Sequence, residues 1–172
     1  MKNAAKEYLL FVAGIPASGK SHFCRWLARG HQVIHVDVEE GGRLAALGLN
    51  RAWQEMVSPR GPTNLIAALR ALGPRVALDW GFPPRWLHVV ERFKDGGVDL
   101  WWFDADHGQA RAEFVRRGTV SVADLDVQMN AIRSNWEDIR ELFDPNILLV
   151  LGPDGRRMEP ATIWSAMTGH AV

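Results

Sequence analysis

The chain has one cysteine, Cys24, among 172 residues. A lone thiol cannot build an internal disulfide framework, and it fits a reducing, cytoplasmic compartment. Net charge is also missing, since 20 basic residues balance 20 acidic ones. A broad electrostatic surface for nucleic acid is therefore not expected, although a local basic groove is compatible with the balance. No apolar run reaches the ~18 residues of a membrane span, so no membrane partner is expected. The opening segment, Met1 to Glu7, runs directly into an apolar stretch and leaves no room for a signal peptide. The six histidines include no pair at metal-ligand spacing, so the sequence assigns no zinc site. Repeats, low-complexity tracts and linkers are absent too, and the length suits one domain over residues 1–172.

What is present begins with Gly14-Ile15-Pro16-Ala17-Ser18-Gly19-Lys20-Ser21. A glycine, four free residues and Gly-Lys-Ser form the phosphate-binding loop pattern, in which each fixed residue has a physical task. The glycines let backbone N–H groups approach phosphate oxygens without a Cβ in the way. Lys20 is placed to meet the β- and γ-phosphates, and the Ser21 hydroxyl to ligate Mg²⁺. The flanks agree with the pattern. Tyr8–Ala13 is a continuous apolar run of the length of a buried parallel strand, and Ser21–Arg29 has helical apolar spacing. The helix would add its positive N-terminal end to the same site.

Beyond the loop, apolar runs alternate with helical stretches, the pattern of an α/β protein with a parallel sheet. Expected strands cover 32–38, 75–80, 98–103 and 146–151. Expected helices cover 39–58, 63–72, 84–95, a short basic segment after Asp106, 121–143, and a last one from Pro160. Five strands with four crossovers make a doubly wound domain. Residues 38–74 would form substrate-side helices, and 107–120 a short lid.

In such sheets, ligands bind beyond the carboxyl ends of the strands. Asp37 with Glu39, Asp79, and Asp104 with Asp106 all fall at those ends. Strand-end acids around a phosphate loop suit metal-assisted phosphoryl transfer, one holding the metal and another taking the acceptor's proton. Asp79 is the expected metal-side acid and Asp37 the expected base. Helix capping accounts for Asp104 and Asp106 at least as well as chemistry. Arg111, Arg116 and Arg117 follow the fourth strand, where a lid arginine would stabilise transition-state charge. Arg43, Arg51 and Arg60 read as surface residues. Of eight tryptophans, Trp101 and Trp102 point to opposite faces and belong in the core. Trp80 and Phe82, with Trp53 or Trp86, form either an aromatic substrate wall or more core, with core favoured.

Taken together, Gly-x-Pro-x-Ser-Gly-Lys-Ser at 14–21, Asp37, and Val76-Ala77-Leu78-Asp79-Trp80-Gly81-Phe82 resemble a group of ATP-binding kinases. These are the AAA_33-type, zeta-toxin-like and polynucleotide-kinase-like phosphate-loop kinases. Arg85, the Arg-bearing segment 111–117 and the strand–turn–helix at 146–168 agree with that resemblance. It implies a three-layer fold with a five-stranded parallel sheet in the order 2-3-1-4-5. It also implies ATP with Mg²⁺ as cofactors and γ-phosphoryl transfer to a hydroxyl, with an Asp at position 37 deprotonating the acceptor. The polynucleotide kinases carry an Arg a few residues after that Asp, whereas Glu39-Glu40-Gly41-Gly42 intervene here before Arg43. The expected partner is therefore a small-molecule hydroxyl acceptor, with a nucleic-acid 5′-end or toxin-type acceptor as the alternative. A nucleotide-dependent switch ranks third, because no Asn-Lys-x-Asp guanine motif occurs. A monomer or homodimer is expected.

Overall fold

A computed structural model describes residues 7–118 and 121–169. The reading of Met1–Lys6 as a leaderless start lies outside the described residues, as does the end of the expected lid at Thr119 and Val120. Five strands form a parallel sheet: β1 Tyr8–Gly14, β2 Ile34–Asp37, β3 Arg75–Asp79, β4 Asp99–Ala105 and β5 Ile147–Leu151. Their order is β2-β3-β1-β4-β5, as the resemblance implies. β1 lies central, paired with β3 from Tyr8↔Arg75 and with β4 from Leu10↔Asp99. Its apolar run is buried because it has neighbours on both edges and helices on both faces.

Side-chain alternation divides the sheet into two cores. Leu9, Phe11 and Ala13 face one cluster with Val36, Val76, Leu78 and Trp102. Leu10 and Val12 face the other, with Ala77, Phe103 and Val150. The second cluster is covered by α1 Lys20–Gly30 through Phe23, Cys24 and Leu27, and by α9 Pro160–Thr168 through Ile163. Phe11 and Phe103 are fully buried, and a buried side chain of that size contributes about 1.5–3 kcal/mol. Trp102 is buried in the first cluster, while Trp101 packs on the second at intermediate burial. Trp80 and Phe82 belong to the first core, with Trp53 edge-on to Trp80 at 4.9 Å.

Three expected helices are broken. Instead of one helix over 39–58, there are α2 Arg43–Ala46 and α3 Asn50–Glu55. Gly48, at φ 70°, turns the chain between them in the left-handed region that glycine tolerates. Before the next helix, α4 Thr63–Leu72, Pro62 holds the capping position. The helix expected at 84–95 opens as a 3₁₀ turn, Pro84–Trp86, before α5 Leu87–Asp95. The long amphipathic helix over 121–143 divides into α7 Val122–Ser134 and α8 Trp136–Phe143. Asn135, at ψ 18°, leaves helical geometry there, and its side-chain amide donates to the Ala131 carbonyl at 2.8 Å. A polar side chain competing for the backbone in this way favours a helix end.

Among the described residues two helices are capped by side chains, one of them by the expected Asp106. Asp106 accepts from the Gln109 N–H at 2.9 Å and starts α6 His107–Arg117. Ser121 accepts from the Asp124 N–H at 3.1 Å and donates to the Asp124 carboxylate at 2.6 Å, starting α7. The expected fourth strand runs two residues further than 103, to Ala105, which draws Asp104 into the sheet. Among the described residues no helix is long and apolar enough to cross a membrane.

Candidate active site

β1 ends in the glycine loop at the carboxyl edge of the sheet. Gly14 has φ 147°, and a Cβ there would run into the Phe103 backbone. Ala17 takes φ 63°, an uncommon geometry for a side chain with a Cβ, which the turn imposes. Gly19, at φ 104°, caps α1, leaving the first amides of the helix directed at the loop's concavity. The Ser18 hydroxyl is buried with no hydrogen-bond partner among the described residues.

Lys20 curls back over the loop and donates to the carbonyls of Gly14 and Ile15, both at 3.2 Å. Burial pushes its ammonium below the ordinary lysine value, while Asp79 and Glu39 pull it back up. Asp79, 3% exposed at the end of β3, is held through one oxygen by His35 Nε2 at 3.2 Å. Asp37 lies beside it in the register Asp37↔Asp79. One Asp37 oxygen accepts from the Glu39 and Glu40 N–H groups at 3.0 and 3.2 Å. The other lies 3.9 Å from Arg25.

The loop opens onto a cavity of about 770 Å³. Its lining includes Gly14, Gly19, Lys20 and Ser21 together with Asp79 and Glu39. Arg25, Arg85 and Arg117 add guanidinium groups to its wall, and Phe82 an aromatic face. Desolvation within the cavity raises the Glu39 carboxyl above its ordinary range against the opposing pull of Lys20, although the residue as a whole remains solvent-accessible. A Cβ at Gly81 would sit 2.9 Å from a Glu39 carboxylate oxygen, so a side chain there would displace that carboxylate.

The structure brings together only part of the expected set. Lys20, Ser21, Asp79 and Arg117 line the cavity, while Asp37 is absent from its lining and serves as the cap of the turn that follows β2. Arg111 forks onto Asp126 at 3.1 and 3.3 Å on the exposed side of α6. Arg116 pairs with Glu113 at 2.8 and 3.0 Å, and Arg117 joins the same carboxylate at 3.1 Å. Those bonds hold the Glu113 carboxyl down to about 2.

Glu39 was read as a strand-end acid and Arg85 as part of the resemblance, neither with a role of its own, while Arg25 and Arg157 enter without having been singled out. Glu39 had a signal, since it stands two residues past the carboxyl end of β2, where ligands of such sheets bind. Arg157 had none. It arrives from the turn after β5 and donates to the Ala17 carbonyl at 3.0 Å and to the Ser18 carbonyl, bracing the loop from outside. Only tertiary structure joins positions that far apart.

The donor set fits a nucleotide triphosphate with a hard divalent cation. A glycine cradle, an orphaned buried hydroxyl, a lysine and an oxygen pair from Ser21 and Asp79 are groups that phosphates and Mg²⁺ accept. No protein-family model matches the sequence, and no curated protein sequence matches it either. Solved structures do match its shape. A shikimate kinase from Bacteroides thetaiotaomicron superposes with a TM-score of 0.53 at 14% identity, over 83% of this chain and 85% of that one. The fold is that of the phosphate-loop kinases. A gluconokinase from Sinorhizobium meliloti 1021 gives 0.51 at 14% identity, over 95% of this chain and 91% of the other. The tunicamycin resistance protein of Deinococcus radiodurans gives 0.51 at 15% identity, over 95% and 97%.

Proposed function

We propose that this chain is an ATP-dependent phosphotransferase that moves the γ-phosphoryl group to a hydroxyl of a small molecule. It belongs on this reading with the AAA_33-type and zeta-toxin-like kinases that its loop resembles. The observation that carries the reading is the single cavity that gathers the glycine loop, Lys20, Ser21, Asp79 and Glu39. Its volume is of the order of known small-molecule clefts, about 300–1,000 Å³. Two of the structures sharing its fold are a shikimate kinase and a gluconokinase, which supports a small acceptor over a nucleic-acid end.

Backbone N–H groups within residues 14–21, Pro16 and the Phe103-bonded Ile15 excepted, and the Lys20 ammonium bind the β- and γ-phosphates, and the α1 N-terminus adds its dipole. Ser21 and Asp79 would hold Mg²⁺, which supplies charge neutralisation on the phosphates when bound. An acid of the Asp37–Glu39 pair takes the acceptor's proton. Glu39 is better placed, because its carboxylate faces the cavity while one Asp37 oxygen is committed to two backbone N–H groups. Its raised pKa brings it nearer the operating pH of a general base. Arg85, which has no carboxylate partner among the described residues, serves the acceptor side. Arg117 is the lid arginine in reach of the transferring group, within a lid of residues 107–120, and residues 38–74 are the substrate-side helices.

The test is ATP binding by calorimetry in wild type and Lys20→Ala, each with MgCl₂. Affinity should fall by at least two orders of magnitude in the variant. An unchanged affinity would remove the loop from nucleotide binding and sink the reading.

A further inference from the structure

Behind the loop, between α1 and the sheet, Cys24, His35 and Asp79 converge. The thiol, the imidazole nitrogen and a carboxylate oxygen all lie within 4.8 Å of one another. They come from three elements that the sequence separates widely. Cys24 sits one turn after Lys20 on the buried face of α1, and His35 and Asp79 share the α1-facing side of β2 and β3. All three are buried, at 0%, 7% and 3% exposure.

We propose that Cys24, His35 and Asp79 form a binding site for a thiophilic divalent cation of the Zn²⁺ type, distinct from the oxygen-only pair at Ser21 and Asp79. A thiolate, an imidazole and a carboxylate are the donors zinc takes at about 2.0–2.3 Å, and three protein ligands leave a fourth position for water. Binding draws the three donor atoms inward from their present spacing and replaces the His35–Asp79 hydrogen bond with two metal bonds. The His35 backbone is already anchored, since its carbonyl accepts a fork from Arg43 at 2.6 and 3.1 Å. Asp79 also lines the main cavity, which provides the entry path and the water.

The charges balance on binding. The Cys24 thiol loses its proton to solvent, and the thiolate and carboxylate together offset the two charges of the ion. A hard cation such as Mg²⁺ has no comparable use for a sulfur and a nitrogen donor, so the site selects by softness. Because Asp79 is common to both sets, the two cations compete. That consequence rests on the phosphotransferase reading above, while the metal site itself does not.

Cobalt titration of the full chain tests the site. Co²⁺ should add one equivalent with a thiolate charge-transfer band in the near ultraviolet. With one cysteine in the whole sequence, that band has a single possible sulfur. It should vanish in Cys24→Ser, weaken at least tenfold in affinity in His35→Gln, and be displaced in wild type by Zn²⁺. X-ray absorption of the zinc-loaded wild type should show one sulfur among four ligands, a readout independent of how the variants fold. No charge-transfer band, no sulfur in the zinc shell, or full cobalt affinity in a folded His35→Gln variant overturns the site. Phosphoryl transfer without the cobalt band keeps the kinase and removes the metal site. The band without phosphoryl transfer does the reverse.

Discussion

On α6, arginines and acids are matched. Arg111 has Asp126, and Arg116 and Arg117 share Glu113, at the solvent-facing surface. In the cavity two cations, Lys20 and Arg85, are left short of such partners. Lys20 donates to two backbone carbonyls and has no ion pair among the described residues, and the Arg85 guanidinium lies over the Trp86 ring, 5.9 Å from its centroid. Paired surface charges are nearly neutral for stability. Charges held in a cleft without a direct ion pair, offset only at longer range as Asp79 and Glu39 offset Lys20, raise the energy of the empty protein, and a polyanionic ligand relieves that. The difference marks where a ligand belongs better than residue type does, and Arg117, which does both, sits at the boundary.

The sharpest break of this comparison lies between two acids. Glu39→Gln should lower kcat by about 10²–10⁴-fold, the usual range for a general base, with ATP affinity spared. Asp37→Asn keeps the cap's acceptor oxygen, so turnover should stay within about threefold. The opposite ranking in steady-state assays would return the base role to Asp37 and leave Glu39 a wall residue. Next in size are two arginines. Arg85→Ala should raise the acceptor KM by about tenfold or more, the loss of a charge-assisted contact. Arg111→Ala should change neither KM nor kcat by more than about twofold. Equal effects would erase the contrast between cleft and α6.

The smallest effect is on stability. The folded-state value of Glu39 is raised, so its ionised form is disfavoured by folding. Wild type should therefore lose stability as pH rises from about 4.5 through the raised value, with the loss complete above it. Glu39→Gln lacks that loss. Its urea midpoint should match wild type at pH 4 and exceed it at pH 7.5, and a constant difference at both would show that desolvation of this carboxyl is negligible.

Much of the fold was legible because it rests on local signals. Continuous apolar runs such as Tyr8–Ala13 imply strands buried on both faces, and Asp106 and Ser121 announce helix starts through their own side chains. Helix interruptions were less legible. Gly48 and Asn135 are tolerated inside helical patterns, and packing decided that the chain turns there. The arginines of the expected lid were read from position alone, and Glu113 and Asp126, which pair with all three of them, lie on faces that periodicity did not rank.

By itself the sequence determined the phosphate loop and the alternation of strands and helices, since both depend on residues close together in the chain. Tertiary structure decided which charges share the cavity. Glu39 rather than Asp37 faces it, because Asp37 is drawn into capping its own turn. Arg157 braces the loop from the far end of the chain. Cys24, His35 and Asp79, with no metal-ligand spacing in sequence, become neighbours because parallel strands bring the same face of separate segments under one helix.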